Sequence, residues 1–367
     1  MERFAFIVHP LEAKRDVARK YPFARYLPES WVEWGLTKKS PMVLSHVTGI
    51  RSRTGVEAEG WLIGCPLTPK QMLILPIDFI WKKIIGAARI AQDLGAGIVG
   101  LGAFTSVVGD GGKTVAENVE IAVTTGNSFT VATAIEGAVK AARMMDIEPE
   151  KATVAVVGAA GSIGRTCAEI MSRRAARLTL VGLAKDPLQE VADDLRAKGA
   201  AEVTISSDVE KGIQDADIVI AVSSAVDAII HPSYIKTGAV VCDVARPRDV
   251  SKRVVEERDD VLVIEGGVVA VPGSPNFNFD FGFPPGMAYA CMSETIALAL
   301  EGRYENFTLG KEVSVAQVEE ISAICSKHGF ELAGFRSFEK PVTDEQIARA
   351  RENARRKIRP SELPTSR

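Results

Sequence analysis

Residues 152–171 read ATVAVVGAAGSIGRTCAEIM, and no other stretch limits the fold so tightly. A short β-branched run, 153–157, breaks into Gly158, Gly161 and Gly164, and a helical pattern follows from Ser162 to about Arg174. An uninterrupted apolar run of that length suits a strand buried on both faces, as in a parallel sheet. The glycines suit a strand-to-helix turn in which backbone comes close to backbone.

The same alternation continues downstream. Residues 178–183, 202–206, 217–222, 239–244 and 261–266 read as further buried strands. Between the first two of these, 186–199 reads as a helix with Asp186 as N-cap, Pro187 in the first turn and Gly199 as its stop. Strands alternating with helices through short connections define an α/β fold with a doubly wound parallel sheet, the Rossmann type. The first part of the chain is less regular, with strand-like runs at 42–50 and 97–104 and a helix at 82–94. The expected division is an N-terminal α/β substrate domain (1–126), a linking helix (127–149), the dinucleotide-binding domain (150–290), C-terminal helices (291–335) and a tail (336–367). Within that tail 343–357 reads as a capped amphipathic helix and its last residues as mobile.

A glycine turn opening a helix is a place for phosphate: the glycines let backbone approach it, and the helix start offers N–H groups with partial positive charge. Gly158, Ala159, Gly161, Ser162, Ile163 and Gly164 are the candidate pyrophosphate cradle. An acid at the end of the second strand would hold the ribose hydroxyls of NAD; here Ala184 and Lys185 stand there, and a cation suits the 2′-phosphate of NADP(H). Ser223 and Ser224 follow the fourth strand, and Gly266 and Gly267 follow the sixth, where they leave room for a nicotinamide face.

The rest of the composition excludes more than it selects. The 367 residues are 46% hydrophobic and 25% charged with net charge −3, which gives no electrostatic footprint for nucleic acid. The stretch MERFAFIVHPLEAKRD is too interrupted for a signal peptide, and QMLILPIDFIW (71–81) is too short to span a bilayer, so a cytoplasmic protein without an integral membrane segment is expected. Five scattered cysteines, Cys65, Cys167, Cys242, Cys291 and Cys325, form neither a disulfide framework nor a metal site. Cys291 stands apart: it follows Pro284, Pro285 and Gly286, and the helix is expected to start near Met287. A helix start lowers a thiol's pKa and favours the nucleophilic thiolate.

Several stretches, in one order between residues 11 and 330, resemble the long-chain acyl-[acyl-carrier-protein] reductases: LEAKRDVARKYPF, LGAFTSVV, TTGNSFTVA, ATVAVVGAAGSIG, EGGVV, AYACMSETIALALEGRYENFTLG and SKHGF. The resemblance implies reduction of a fatty acyl thioester, on acyl-carrier protein or CoA, to a fatty aldehyde with NADPH. It also implies that Cys291 carries the acyl group as an enzyme thioester. That chemistry passes through oxyanions and needs polar groups near the thiol. Thr105 and Ser106, and Thr125 and Asn127, are the candidates. The loop 270–286 and the tail beyond about 335 depart from the family pattern. Lys82, Lys83 and Arg89 are a candidate docking patch for an acidic carrier, and a homo-oligomer is left open.

Two other resemblances compete. TTGNSFTVATAIEGA is similar to the linker helix of shikimate and quinate dehydrogenases, whose proton transfer uses a Lys–Asp pair; Lys113 is the only candidate for its lysine. VVCDVARPRDV resembles a segment of glutamyl-tRNA reductase, which keeps its cysteine in an N-terminal domain. A non-catalytic NADP-binding sensor is the third alternative.

Overall fold

The computed structural model describes residues 1–199, 202–280, 282, 284–310 and 312–358. The chain divides into two compact units, one made of 1–133 and 267–333, the other of 134–266 and 334–367. It passes from the first to the second within the helix Asn127–Met144.

In the first unit, β1 (Glu2–Val8) lies parallel to β3 (Glu57–Gly64) on one side and to β4 (Ile98–Leu101) on the other; β5 (Ala122–Thr124) extends the parallel part. β2 (Met42–Arg51) pairs antiparallel with β3, and the strand Gly273–Asn276 closes that edge. Side chains alternate across a strand, so the central strands feed two cores. Phe4 and Phe6 enter one, with Leu62 and Ile98. Ala5 and Ile7 enter the other, with Ile63, Val99 and Leu101. Helix Ile77–Asp93 covers the second through Ile80, Ile84 and Ala88, and helix Ala290–Leu300 covers the first through Met292 and Ile296.

The second unit holds six parallel strands: β6 (Thr153–Val157), β7 (Arg177–Val181), β8 (Glu202–Ser206), β9 (Ile218–Ala221), β10 (Val240–Asp243) and β11 (Leu262–Glu265). Their order across the sheet is β8-β7-β6-β9-β10-β11. That is the doubly wound order, and it reverses between β6 and β9, where ligands bind beyond the carboxyl ends of such strands.

Several expectations shift. Met287–Tyr289 is a strand, antiparallel to Val268–Ala270, and the helix begins only at Ala290. Pairing with a second strand holds these residues extended where local sequence suggested a first helical turn. Asp186 is not the N-cap: the helix runs Lys185–Ala197 with Ala184 as its cap, and Asp186 sits in the first turn. The dinucleotide unit stops at Gly266 rather than reaching 290, because the segment from Gly267 returns to the first unit. Strands β1 and β3 were not read from sequence. The tail helix is present at Asp344–Ile358, and the mobility expected for the last residues falls on 359–367, outside the described residues.

Candidate functional site

At the switch point of the second unit, Gly158 ends β6 with φ +87. A Cβ there would lie 2.8 Å from Ser223 Cα and 2.9 Å from its nitrogen, so only glycine lets the two loops abut. Gly161 caps the helix Ser162–Ser172. A Cβ on Gly164 would lie 2.1 Å from the Gly158 carbonyl oxygen, which keeps the helix start against the turn. Ala159 is buried beneath it. The first-turn N–H groups, those of Ile163 and Gly164 among them, have no carbonyl four residues back to bond. Close backbone, a helix start and no bulky side chain fit a pyrophosphate. Lys185 is exposed just beyond β7, where a 2′-phosphate would be met.

Two of the other cofactor candidates are engaged elsewhere. The Ser223 hydroxyl donates to buried Asp249, whose carboxylate also accepts the Ser223 N–H at 2.9 Å; Ser224 is exposed. Burial raises the Asp249 carboxyl, and the two bonds from Ser223 oppose that shift. A Cβ on Gly266 would meet Val244 at 2.6 Å and the Cys242 sulfur at 3.0 Å. Gly267 lies in the first unit, and its carbonyl accepts the Ala290 N–H at 2.7 Å.

That bond helps fix the start of the helix bearing Cys291. With Tyr289 as N-cap, Cys291 is the second helical residue. It keeps part of its surface open, whereas Cys65, Cys167, Cys242 and Cys325 are buried. The backbone N–H groups near its sulfur, those of Met292 and Ala103, favour the thiolate electrostatically, as a helix start should. Burial outweighs them, and with a contribution from Glu294 pushes the thiol up to about 12. The thiol lowered by its helix start, expected from sequence, is therefore not what the structure contains.

Ala103 is held by neighbours. It adopts φ +46 at the start of the turn Ala103–Ser106, and the Phe104 N–H donates to His9 Nε2 at 3.0 Å. His9 Nδ1 faces the Pro10 carbonyl oxygen at 3.2 Å, and burial drops this imidazole to about 4, so it is neutral and can accept. Thr105 and Ser106 close the same turn: their hydroxyls donate to the Gly102 and Ala103 carbonyls, both at 2.7 Å. They shape the turn that presents the Ala103 N–H. Thr125 likewise donates to the Thr308 carbonyl at 2.6 Å, while Asn127 is buried at the first position of its helix.

Sequence reasoning passed over two groups. Gly126 lies directly against Cys291: at φ +71, a Cβ there would stand 2.3 Å from both Cys291 Cα and Cβ. Glu294, one turn beyond the thiol and fully buried, accepts four hydrogen bonds. They come from Thr124 (2.6 Å) and Thr308 (3.0 Å) on Oε1, and from Ser128 (2.7 Å) and the Phe129 N–H (2.9 Å) on Oε2. The carboxylate thus ties β5 and the next helix start to the helix of Cys291, with Gly126 in the loop between. Burial raises its carboxyl, and the four donors offset part of the cost.

Lys83 of the expected docking patch donates to the carbonyls of Thr37, at 3.0 Å, and Lys39; Arg89 donates to that of Asn118 at 3.4 Å. Lys113 packs over Gly310, and no ion pair to it is found among the described residues. No group of three or more His, Cys, Asp or Glu among the described residues could hold a metal ion, and no helix among them is long and apolar enough to cross a membrane.

Comparison with known proteins sets this geometry in a class. Residues 140–265 match the shikimate / quinate 5-dehydrogenase family. The chain is 26% identical over 355 residues to a long-chain acyl-[acyl-carrier-protein] reductase of Synechococcus elongatus, covering 89% of this chain and 98% of that one. These likenesses relate the chain to the long-chain acyl-[acyl-carrier-protein] reductases and, over 140–265, to the shikimate and quinate dehydrogenases. It is also 32% identical over 357 residues to the aminotransferase PigE of a Serratia species; the match takes 94% of this chain but spans only 41% of that protein. Among solved structures, L-tryptophan dehydrogenase from Nostoc punctiforme superposes with TM-score 0.42 at 13% identity, over 98% of this chain and 90% of that one. The nucleotide-binding domain of glutamyl-tRNA reductase from Thermoplasma volcanium gives 0.27 at 16% identity, over 36% and 84%.

Proposed function

We propose that the chain reduces a fatty acyl thioester, on acyl-carrier protein or CoA, to an aldehyde, using NADPH and a thioester formed on Cys291. The observation that carries this reading is the seat of Cys291: a partly open thiol, the second residue of a helix, with the Gly126 backbone packed directly against it. The likeness to the Synechococcus long-chain acyl-[acyl-carrier-protein] reductase supports it. The cradle Gly158–Gly164 would hold the pyrophosphate and Lys185 would meet the 2′-phosphate of a coenzyme whose chemistry is to supply a hydride.

Cys291 gives up its proton and its sulfur attacks the thioester carbonyl. The bond to the carrier sulfur breaks, the carrier leaves as a thiol, and the acyl group stays on Cys291. The first-turn N–H groups of the helix that bears Cys291 stabilise the oxyanion beside the sulfur. Reduction of the acyl carbon by that hydride would break its bond to Cys291, releasing the aldehyde and leaving the Cys291 thiolate. The five free cysteines fit a reducing compartment, the cytoplasm.

The test is intact mass after mixing with palmitoyl-carrier protein or palmitoyl-CoA without NADPH. An acyl adduct is expected on the wild type, absent from Cys291→Ala, and discharged as aldehyde when NADPH is added. Absence of an adduct from every acyl donor would overturn the reading. The family match over 140–265 favours a second one, an NADP-dependent hydroxy-acid dehydrogenase. Oxidation of shikimate or quinate by a chain that forms no adduct would establish that instead.

A further inference from the structure

Six large apolar side chains in one part of the first unit stand in the open: Phe23 (63% exposed), Tyr26 (81%), Trp31 (66%), Trp34 (66%), Leu73 (57%) and Ile74 (80%). They are not frayed ends. Helix Ala13–Lys20, the turn Pro22–Tyr26 and helix Glu29–Lys38 close on a small core of Ala13, Ala24 and Val32. The Gln71 side chain donates to the Glu33 carbonyl at 2.7 Å, which sets the helix of Leu73 and Ile74 beside that of the tryptophans. Lys83 pins the far end through the Thr37 carbonyl at 3.0 Å. Trp31 and Trp34, three residues apart, share the outer face of a helix held by its inner one.

The same segment is basic. Residues 13–39 carry seven Lys and Arg against three Asp and Glu, in a chain of net charge −3. Arg15 and Arg19 pair with Asp16. Among the described residues no carboxylate pairs with Lys14, Lys20, Arg25, Lys38 or Lys39. Arg25 lies over the Tyr26 ring at 5.9 Å.

We propose that this face docks on a lipid surface bearing anionic head groups. Apolar side chains this exposed and this close together mark an interaction surface. Tryptophan and tyrosine place an apolar ring at the acyl boundary while their N–H or O–H stays wet, and cations on long stems reach the head groups. A second copy of the chain would set these unpaired cations against their own images. An acidic protein would answer the cations and leave the six apolar side chains facing its charges. A bilayer answers both. The inference does not depend on the chemistry of Cys291.

The experiment is co-sedimentation of the full chain with vesicles of phosphatidylcholine, with and without phosphatidylglycerol, at low and high salt. Emission from the chain's tryptophans reports the same event. Binding is expected only with phosphatidylglycerol, weakened by salt and accompanied by a blue shift. Trp31→Ser/Trp34→Ser and Lys38→Glu/Lys39→Glu should each lower the partition coefficient about tenfold or more. Their circular dichroism and urea unfolding should match the wild type, which separates lost docking from lost folding. Equal binding to both vesicle types, no binding to either, or full binding by the tryptophan variant would overturn the proposal. So would a dimer, or a complex with an acidic carrier protein, that the tryptophan variant abolishes while vesicles are ignored.

Discussion

Replacing Gly126 by alanine tests whether the loop after β5 sets the position of the thiol. The new Cβ would stand 2.3 Å from Cys291 Cα and Cβ, about 1 Å inside ordinary contact, and backbone lies on both sides of that gap. One side must move by about that distance, and a misplacement of this size costs a reacting group roughly a hundredfold in rate. Alanine at φ +71 also costs about 1–2 kcal/mol of stability. Gly55 separates the two effects: its φ is +88, and a Cβ there would meet nothing within 4 Å. Gly55→Ala should therefore lose similar stability and acylate normally. Gly126→Ala should form the acyl adduct about a hundredfold more slowly. The assay is single-turnover acylation followed by intact mass, with urea unfolding of both variants. Acylation of Gly126→Ala within threefold of Gly55→Ala would refute the claim that this contact positions the thiol.

Other consequences are as direct. Glu294→Gln should fold, because its amide can donate to the Thr124 and Thr308 hydroxyls while its oxygen keeps Ser128 and Phe129; Glu294→Ala strands those donors and should cost about 3 kcal/mol or more, read by urea unfolding. With the Cys291 thiol at about 12, the thiolate fraction rises tenfold per pH unit below that value, so iodoacetamide should alkylate Cys291 tenfold faster per unit from pH 7 to 10; a plateau near neutrality would contradict the burial argument. Lys185→Glu should raise KM for NADPH about tenfold or more and leave NADH nearly unchanged, measured by initial rates.

The sheet of the second unit was legible because strands buried on both faces are short, continuous and apolar, and turn residues separate them. The sheet of the first unit was legible only in part: the runs 42–50 and 97–104 became β2 and β4, but β1 and β3 were missed. β1 begins with Glu2 and Arg3, and its partners come from residues 57–64 and 98–101, so nothing local announces it. Nor does anything local say that 267–333 rejoins the first unit. In the candidate site the motif TTGN drew attention to Thr125 and Asn127, yet the residue against the thiol is the glycine between them. Glu294 did leave a signal: ACMSETIALAL holds one acid in a helix whose other residues are apolar or small and uncharged all round, and an acid in a buried helix must be bonded.

The return of the chain to its first unit orders events during synthesis. All six strands of the second unit's parallel sheet are encoded in one stretch, 153–265, and that sheet can assemble as soon as the stretch has left the ribosome. The first unit cannot, since the helix of Cys291, which covers one face of its sheet, and Thr308, one of the donors to Glu294, come later still. Domains fold as their residues emerge. The proposed nucleophile is therefore seated only after the glycine turn and its sheet are complete, so a nascent chain holds its proposed coenzyme site before its proposed reactive centre.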